Sequence, residues 1–241
     1  MNLENKTGII IQARMGSKRL PGKVMKKING KPLIYYAIKS AKQSKLISDI
    51  IVSSDSKKIL NISKKYGATT FLRPKKYATS KSTDLDVIKN LVENLKKKID
   101  ILVFLRPTNP FRTGRDIDNC INQIYEGNFS SIRSVSDCTY PPYWLKKIEK
   151  RYLKNLYPKK LSEMRRQDLP LVHMANGAIE VIGSNVLSKL NSRFGNKVGY
   201  YYMSKICAYD IDDFIDFKIS EYLFKNYFLS VFKNNKSSNK E

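Results

Sequence analysis

Four basic residues and two glycines crowd the stretch Gln12-Ala-Arg-Met-Gly-Ser-Lys-Arg-Leu-Pro-Gly-Lys23. Arg14, Lys18, Arg19 and Lys23 supply charge for a triphosphate. Gly16 lets the backbone approach closely, and Ser17 offers a hydroxyl donor. Between a strand and a helix, backbone N–H groups in such a loop converge on phosphate oxygens. The stretch is neither GxxxxGKS nor GxGxxG, so neither a P-loop ATPase nor a dinucleotide site is indicated. A basic solvated loop with two turn glycines fits the same composition.

A second feature is Cys-Ala-Tyr-Asp-Ile-Asp-Asp, from Cys207 to Asp213. Alternate residues of an extended segment share a side, so Asp210 and Asp212 can aim at one point. Hard oxygen donors suit Mg²⁺, which is held by one or two carboxylates plus substrate phosphates. Helix capping ahead of Phe214 is the competing use, and Asp213 suits it. A third feature, Arg106-Pro-Thr-Asn-Pro110, closes an apolar run, and ligands of open α/β sheets bind at such strand ends.

The elements that must position these residues alternate. Gly8 to Arg14 begins as a buried strand, and Leu33, Ile34, Ala37, Ile38 and Ala41 recur at helical spacing after Pro32. Asp49–Ser56 reads as a strand, and Lys57–Tyr66 as a helix closed by Gly67. A short strand at Thr69–Leu72, a helix at Asp84–Lys98 and a strong strand ending near Arg106 follow. Then come a helix at Arg115–Tyr125 and a strand at Ser130–Val135. Strands are also expected at Ala175–Gly183 and Tyr200–Met203, with a helix at Phe214–Phe228. This alternation predicts an α/β, Rossmann-like, mostly parallel sheet with helices on both faces. Residues 143–170, rich in Lys, Tyr and Arg, are expected to project as an arm, with Tyr143 and Trp144 in packing or an interface. One domain is expected over 1–230, and a disordered polar tail over 231–241.

Composition narrows the classes. The 241 residues are 41% hydrophobic and 27% charged, which suits a globular protein. The formal net charge of +24 fits compositional drift together with an acidic small substrate. The lysines are spread along the chain and no RNA-binding aromatic signature accompanies them, so no nucleic-acid partner is expected. Cys120, Cys138 and Cys207 show neither a disulfide framework nor metal-site spacing, and reduced thiols of a cytoplasmic protein are expected. No signal peptide, transmembrane helix or membrane partner is expected. The lone histidine, His173, follows an apolar pair and is assigned no catalytic role.

Ordered segments carry a resemblance over about Gly8 to Leu223. The phosphate-loop stretch is followed by GKPLIYYAIKSA, IIVSSDS, KKYGA, FLRP, LRPTNPFR, PPYWLKKI, RRQDLP, NGAIEV and YDIDD. The chain resembles the acylneuraminate (CMP-sialic acid) cytidylyltransferases. That resemblance implies a GT-A-like nucleotide-diphospho-sugar transferase fold, CTP as co-substrate, Mg²⁺ and an acidic sugar acceptor. It implies nucleotide contacts from Arg14, Ser17, Lys18, Lys23 and Arg73, alongside the close approach at Gly16. It makes Asp210 and Asp212 the metal ligands, with Arg14, Lys23 and Asp212 closest to the chemistry. Arg166 and Gln167 would lie near the acidic sugar, and Asn176 and Gly177 would line its pocket. Arg106 and Asn109 stand where the family has glutamine and serine, close to the acceptor, and an arginine there could pair with a sugar carboxylate. Thr83 and Asp84 replace two serines. Val24 replaces an asparagine that reads the base, and Arg-Leu-Pro-Gly-Lys is closer to CMP-KDO synthetases and SpsF-like spore-coat nucleotidyltransferases. Family members are commonly homodimers, with the region 143–170 contributing.

Overall fold

The first apolar run forms β1 (Thr7–Gln12), and Ile9, Ile10 and Ile11 within it have no solvent exposure. A strand buried on both sides belongs inside a sheet covered on two faces. The computed structural model describes residues 6–95, 98–189 and 191–229, so the expected disordered tail lies outside the described residues.

A small hairpin follows, β2 (Lys27–Ile28) and β3 (Lys31–Pro32), and leads into α1 (Leu33–Gln43). The chain continues through β4 (Asp49–Ser54), α2 (Lys57–Lys65), β5 (Thr69–Leu72), α3 (Asp84–Asn94), β6 (Ile101–Leu105), α4 (Gly114–Gly127) and β7 (Ser131–Asp137). An outlying hairpin, β8 (Lys146–Glu149) and β9 (Tyr152–Asn155), precedes the short α5 (Lys159–Ser162). The long β10 (His173–Gly183), α6 (Ser184–Leu187), β11 (Val198–Tyr202) and α7 (Phe214–Leu223) complete the order. α7 runs on as a π-helical turn, Phe224–Phe228.

Seven of the described strands form one sheet in the order β11-β7-β10-β6-β1-β4-β5. β1 is parallel to β4 and to β6, β4 to β5, and β11 to β7. β10 alone runs against its neighbours β6 and β7. The mostly parallel sheet is therefore present, with one reversed strand. Alternation of side chains splits the core between the faces. Ile9, Ile11, Val103 and Leu105 pack with α1, α4 and α7. Ile10, Leu102 and Phe104 pack with α3 and α6 on the opposite face.

Helix ends are set by local chemistry. Thr83 with Asp86, Thr113 with Asp116 and Asp213 with Asp216 form reciprocal capping boxes at α3, α4 and α7. Asp213 thus takes the capping role that its position suggests. Gly67, at φ 86°, ends the α2 segment in the left-handed region. α3 stops at Asn94, short of the expected Lys98, and β10 starts at His173, two residues early. Among the described residues no helix is long and apolar enough to cross a membrane.

Chain order along the sheet reverses at β1: the following strands β4 and β5 build to one side, while β6 lies on the other. Loops leaving β1 and β6 diverge there and leave a crevice at the strand ends.

Candidate active site

The loop leaving β1 is pinned at both ends. Ala13 donates its N–H to the Ser53 carbonyl at 3.0 Å, and Met15 donates to Asp55 Oδ1 at 3.1 Å. At the far end Leu20 and Val24 are buried, and Gly22 turns the chain at φ 64°. Between these anchors Arg14, Gly16, Ser17, Lys18, Arg19 and Lys23 line a cavity of about 530 Å³, walled mainly by polar and basic groups. Arg14 Nη1 also donates to the Thr79 carbonyl at 2.9 Å, tying the loop to the segment before α3.

A smaller hollow of about 200 Å³ adjoins it and shares Arg14, Ser17, Lys23 and Asp212. Asp210, Asp84, Arg106 and Thr108 complete much of its wall. Ile211 is fully buried and donates its N–H to the Thr108 carbonyl at 3.0 Å. With Ile211 turned inward, Asp210 and Asp212 fall on the other side and both line the hollow. Lys23 Nζ donates to Asp212 Oδ1 at 3.0 Å, and Arg19 Nη2 to Oδ2 at 2.5 Å. Burial pushes the Asp212 carboxyl up, but Lys23 and Arg19 together outweigh it and hold the group below its ordinary value of 3.8. Among the described residues no cluster of three or more His, Cys, Asp or Glu could hold a metal. Asp210 and Asp212 are hard carboxylates on one hollow, a pair whose chemistry fits an ion that takes its other ligands from phosphate and water, as Mg²⁺ does.

Arg73 lies just beneath the loop and is 2% exposed. Its Nη2 donates to the Ala13 carbonyl at 3.3 Å, while Nε and Nη1 have no partner. Burial lowers its pKa, against the pull of Asp55 and then Asp84. A buried guanidinium with two free donors is costly unless an anion satisfies it.

The residues expected near the acceptor differ from expectation in three respects. Arg106 is already engaged: it donates to Asp84 Oδ2 at 2.6 Å, to Glu180 Oε1 at 3.0 Å and to the Gly177 carbonyl at 3.2 Å. Asn176, expected to line a pocket, turns its side chain into the sheet, where it bonds Ser134, Ser136 and the Ala178 N–H. Its backbone carbonyl accepts from Asn109 Nδ2 at 3.1 Å, and Gly177, at φ 71°, carries the turn beside Arg106 and Asn109. Arg166 and Gln167 are exposed on the segment after α5 and line neither hollow.

Three contributors lack a signal in the sequence. Glu180 sits inside an apolar strand and Arg193 in an irregular segment, and both meet Asp84 or Arg106 only through long-range folding. Arg112 Nη1 gathers the carbonyls of Arg106, Asn109 and Ala178, fixing the β6 loop against the β10 bulge. It is fully buried, and its pKa falls to about 9 chiefly through desolvation.

Residues 8–241 match the family model described as cytidylyltransferase. The chain is 32% identical over 228 residues to a CMP-N,N'-diacetyllegionaminic acid synthase of Legionella pneumophila, covering 89% of this chain and 94% of that one. It is 29% identical over 213 residues to an N-acylneuraminate cytidylyltransferase of Escherichia coli, covering 88% of this chain and 50% of that one. A solved CMP:2-keto-3-deoxy-manno-octonic acid synthetase complexed with CTP shares the fold, with a TM-score of 0.68 at 18% identity. That superposition covers 92% of this chain and 99% of the other. Nucleotidyl transfer suits a crevice where a basic loop and two carboxylates meet at a switch point, and the chain belongs to the cytidylyltransferase family.

Proposed function

We propose that this protein activates an acidic nonulosonic sugar, of the sialic, legionaminic or pseudaminic acid type, with CTP to give a CMP-sugar and pyrophosphate. The observation that carries the reading is the meeting of Arg14, Ser17 and Lys23 with Asp210 and Asp212 around one hollow. The names of relatives near 30% identity support the sugar class.

In this reaction a sugar hydroxyl attacks the α-phosphorus in line, and pyrophosphate leaves. Arg14 and Lys23 offset triphosphate charge, and Gly16, Ser17 and Lys18 cradle the phosphates. Arg73 offers its two unpartnered donors from below the loop. Asp210 and Asp212 would hold Mg²⁺, which when bound would supply polarisation of the phosphoryl oxygen and ease ionisation of the hydroxyl. Arg106 and Asn109 face the acceptor, with Gly177 shaping the wall beside them.

The same proposal includes one domain over 1–230 bearing an arm, a homodimer built through residues 143–170, and action in the cytoplasm. Ile148, Tyr152 and Leu153 are 70–75% exposed on that arm, more apolar surface than a solvated hairpin needs. Arg166 and Gln167 ride on the same segment, so their approach to an acidic sugar depends on the arm's docking. Cys120 and Cys207 are buried free thiols, in keeping with a reducing compartment.

A related reading, a KDO-type or SpsF-like enzyme with another sugar or base, draws on Val24. It is buried in the core and offers no hydrogen bond to a base. Pyrophosphate release across four nucleoside triphosphates and a panel of acidic and neutral sugars separates these readings. The expected result is Mg²⁺-dependent release with CTP and a nonulosonic acid. Absence of release throughout the panel sinks the proposal.

A further inference from the structure

Four charges behind the acceptor end close a ring drawn from four separate segments. Arg106 Nη2 and Arg193 Nη1 both donate to Asp84 Oδ2, at 2.6 and 3.0 Å. Arg106 also donates to Glu180 Oε1 through Nη1 and Nη2, at 3.0 and 3.1 Å. Arg193 Nη1 takes the other oxygen, Oε2, at 2.6 Å. Two guanidiniums and two carboxylates leave the ring neutral. Asp84 and Arg106 line the hollow, while Glu180 and Arg193 stand behind them.

Each member is held from outside the ring. Asp84 is the first residue of α3, where the helix dipole favours a negative charge. Glu180 pairs with Phe104 on β6 and Arg133 on β7 in sheet register, and its side chain is 3% exposed. Arg193 lies 4.8 Å from the Phe194 ring centre, and the opposing Arg133 lies 4.3 Å from it. Arg106 rests 5.0 Å from the Phe104 ring centre. Planar guanidiniums stacked in this way keep their hydrogen-bonding edges aimed.

We infer that Arg193 is a positioning residue for the acceptor. It keeps Asp84 and Glu180 compensated while Arg106 turns one edge of its guanidinium to a carboxylate on the incoming sugar. The inference rests on the acidic-acceptor reading above. Without Arg193, Arg106 is the ring's remaining cation against two carboxylates, one of them deeply buried. It then has no edge to share with a third anion, and the ring carries a net negative charge that repels the acceptor. With Arg193 present, each carboxylate keeps a strong charge-assisted partner throughout.

The test compares acceptor KM and CTP KM in the full-length enzyme, with melting temperatures alongside. Arg193→Gln is expected to raise acceptor KM by about tenfold or more, with CTP KM within about twofold of wild type. Arg193→Lys is expected to recover part of the loss, because it restores charge without the fork. The double variant Arg193→Gln with Asp84→Asn restores neutrality and is expected to bring acceptor KM back toward wild type. If Arg193→Gln does not fold, the double variant and Arg193→Lys decide the same question. Equal shifts in both KM values, or a double variant no better than the single one, overturn the role of Arg193. An unchanged acceptor KM in Arg193→Gln, with a wild type that uses an acidic sugar, overturns this inference alone. A wild type active only on neutral acceptors, or on none, overturns the acidic-acceptor reading and the inference together.

Discussion

Lys23 Nζ meets Asp212 Oδ1 at 3.0 Å across 189 positions of sequence, and Arg19 closes on the second oxygen at 2.5 Å. The cations suited to phosphate and the carboxylate suited to a metal are thus paired with each other in the free protein. In the proposed reaction a triphosphate would compete with Asp212 for Lys23 and Arg19, and each cation drawn away would free a carboxylate oxygen.

That competition gives a pair of opposite expectations for Asp212→Asn. Pyrophosphate release should fall by about 100-fold or more. Metal-free CTP binding, measured by calorimetry in chelator, should be retained or tightened, because Lys23 and Arg19 lose their internal anion. Weaker metal-free binding would show that Asp212 does not compete with the nucleotide.

Acid stability should report the same cluster. The Asp212 carboxyl lies below 3.8 in the folded chain, where Lys23 and Arg19 outweigh the opposing effect of burial. The unfolded chain therefore binds this proton more readily, so the contribution is complete above the unfolded value and is lost as pH falls through the depressed one. Melting curves from about pH 5 down to about pH 3 should lose part of their acid slope in Asp212→Asn. An unchanged slope would rule out this contribution.

Arg73→Met should separate stability from binding. The side chain is buried with two unpartnered donors, so a similar-sized apolar group should leave the melting temperature of the free protein unchanged or raise it. CTP affinity should fall by about tenfold, as expected for loss of a charge-assisted contact. A large loss of stability with intact affinity would assign Arg73 to the fold alone.

Gly177→Ala tests the turn at the proposed acceptor end. At φ 71° a side chain is strained, and its Cβ would sit 3.4 Å from Arg106 Nη1 and 3.7 Å from Asn109 Oδ1. The expected cost is ~1–2 kcal/mol, a fall in melting temperature of roughly 2–8 °C. Acceptor KM should rise while CTP KM holds, in parallel kinetic titrations of the two substrates.

Much of the nucleotide half was legible because it depends on short-range order. A buried apolar strand, two glycines and four cations lie within consecutive residues, and the Asp210/Asp212 spacing needs only an extended backbone. The cap at Asp213 was readable for the same reason. Strand direction was not: β10 carries an apolar run like any parallel strand, and its reversal emerges only from pairing with β6 and β7. The acceptor half was harder still. Arg106 looked free because its partners, Asp84 and Glu180, lie 22 and 74 positions away. Asn176 read as a pocket residue because sequence does not reveal which side of a bulged strand faces Ser134 and Ser136. The lone fragments RRQ gave residue types without the placement of the arm that carries them.

The two halves of the crevice differ in heritability. Arg14, Gly16, Ser17, Lys18, Arg19 and Lys23 occupy one contiguous loop, anchored at each end by contacts to β4, to Asp55 and to the core. A loop of that kind can be transplanted or conserved as a module. The charged ring of Asp84, Arg106, Glu180 and Arg193 is spread over four segments, and no single exchange can carry it. Under the inferred role of the ring, a change of charge at one segment needs an answering change at another.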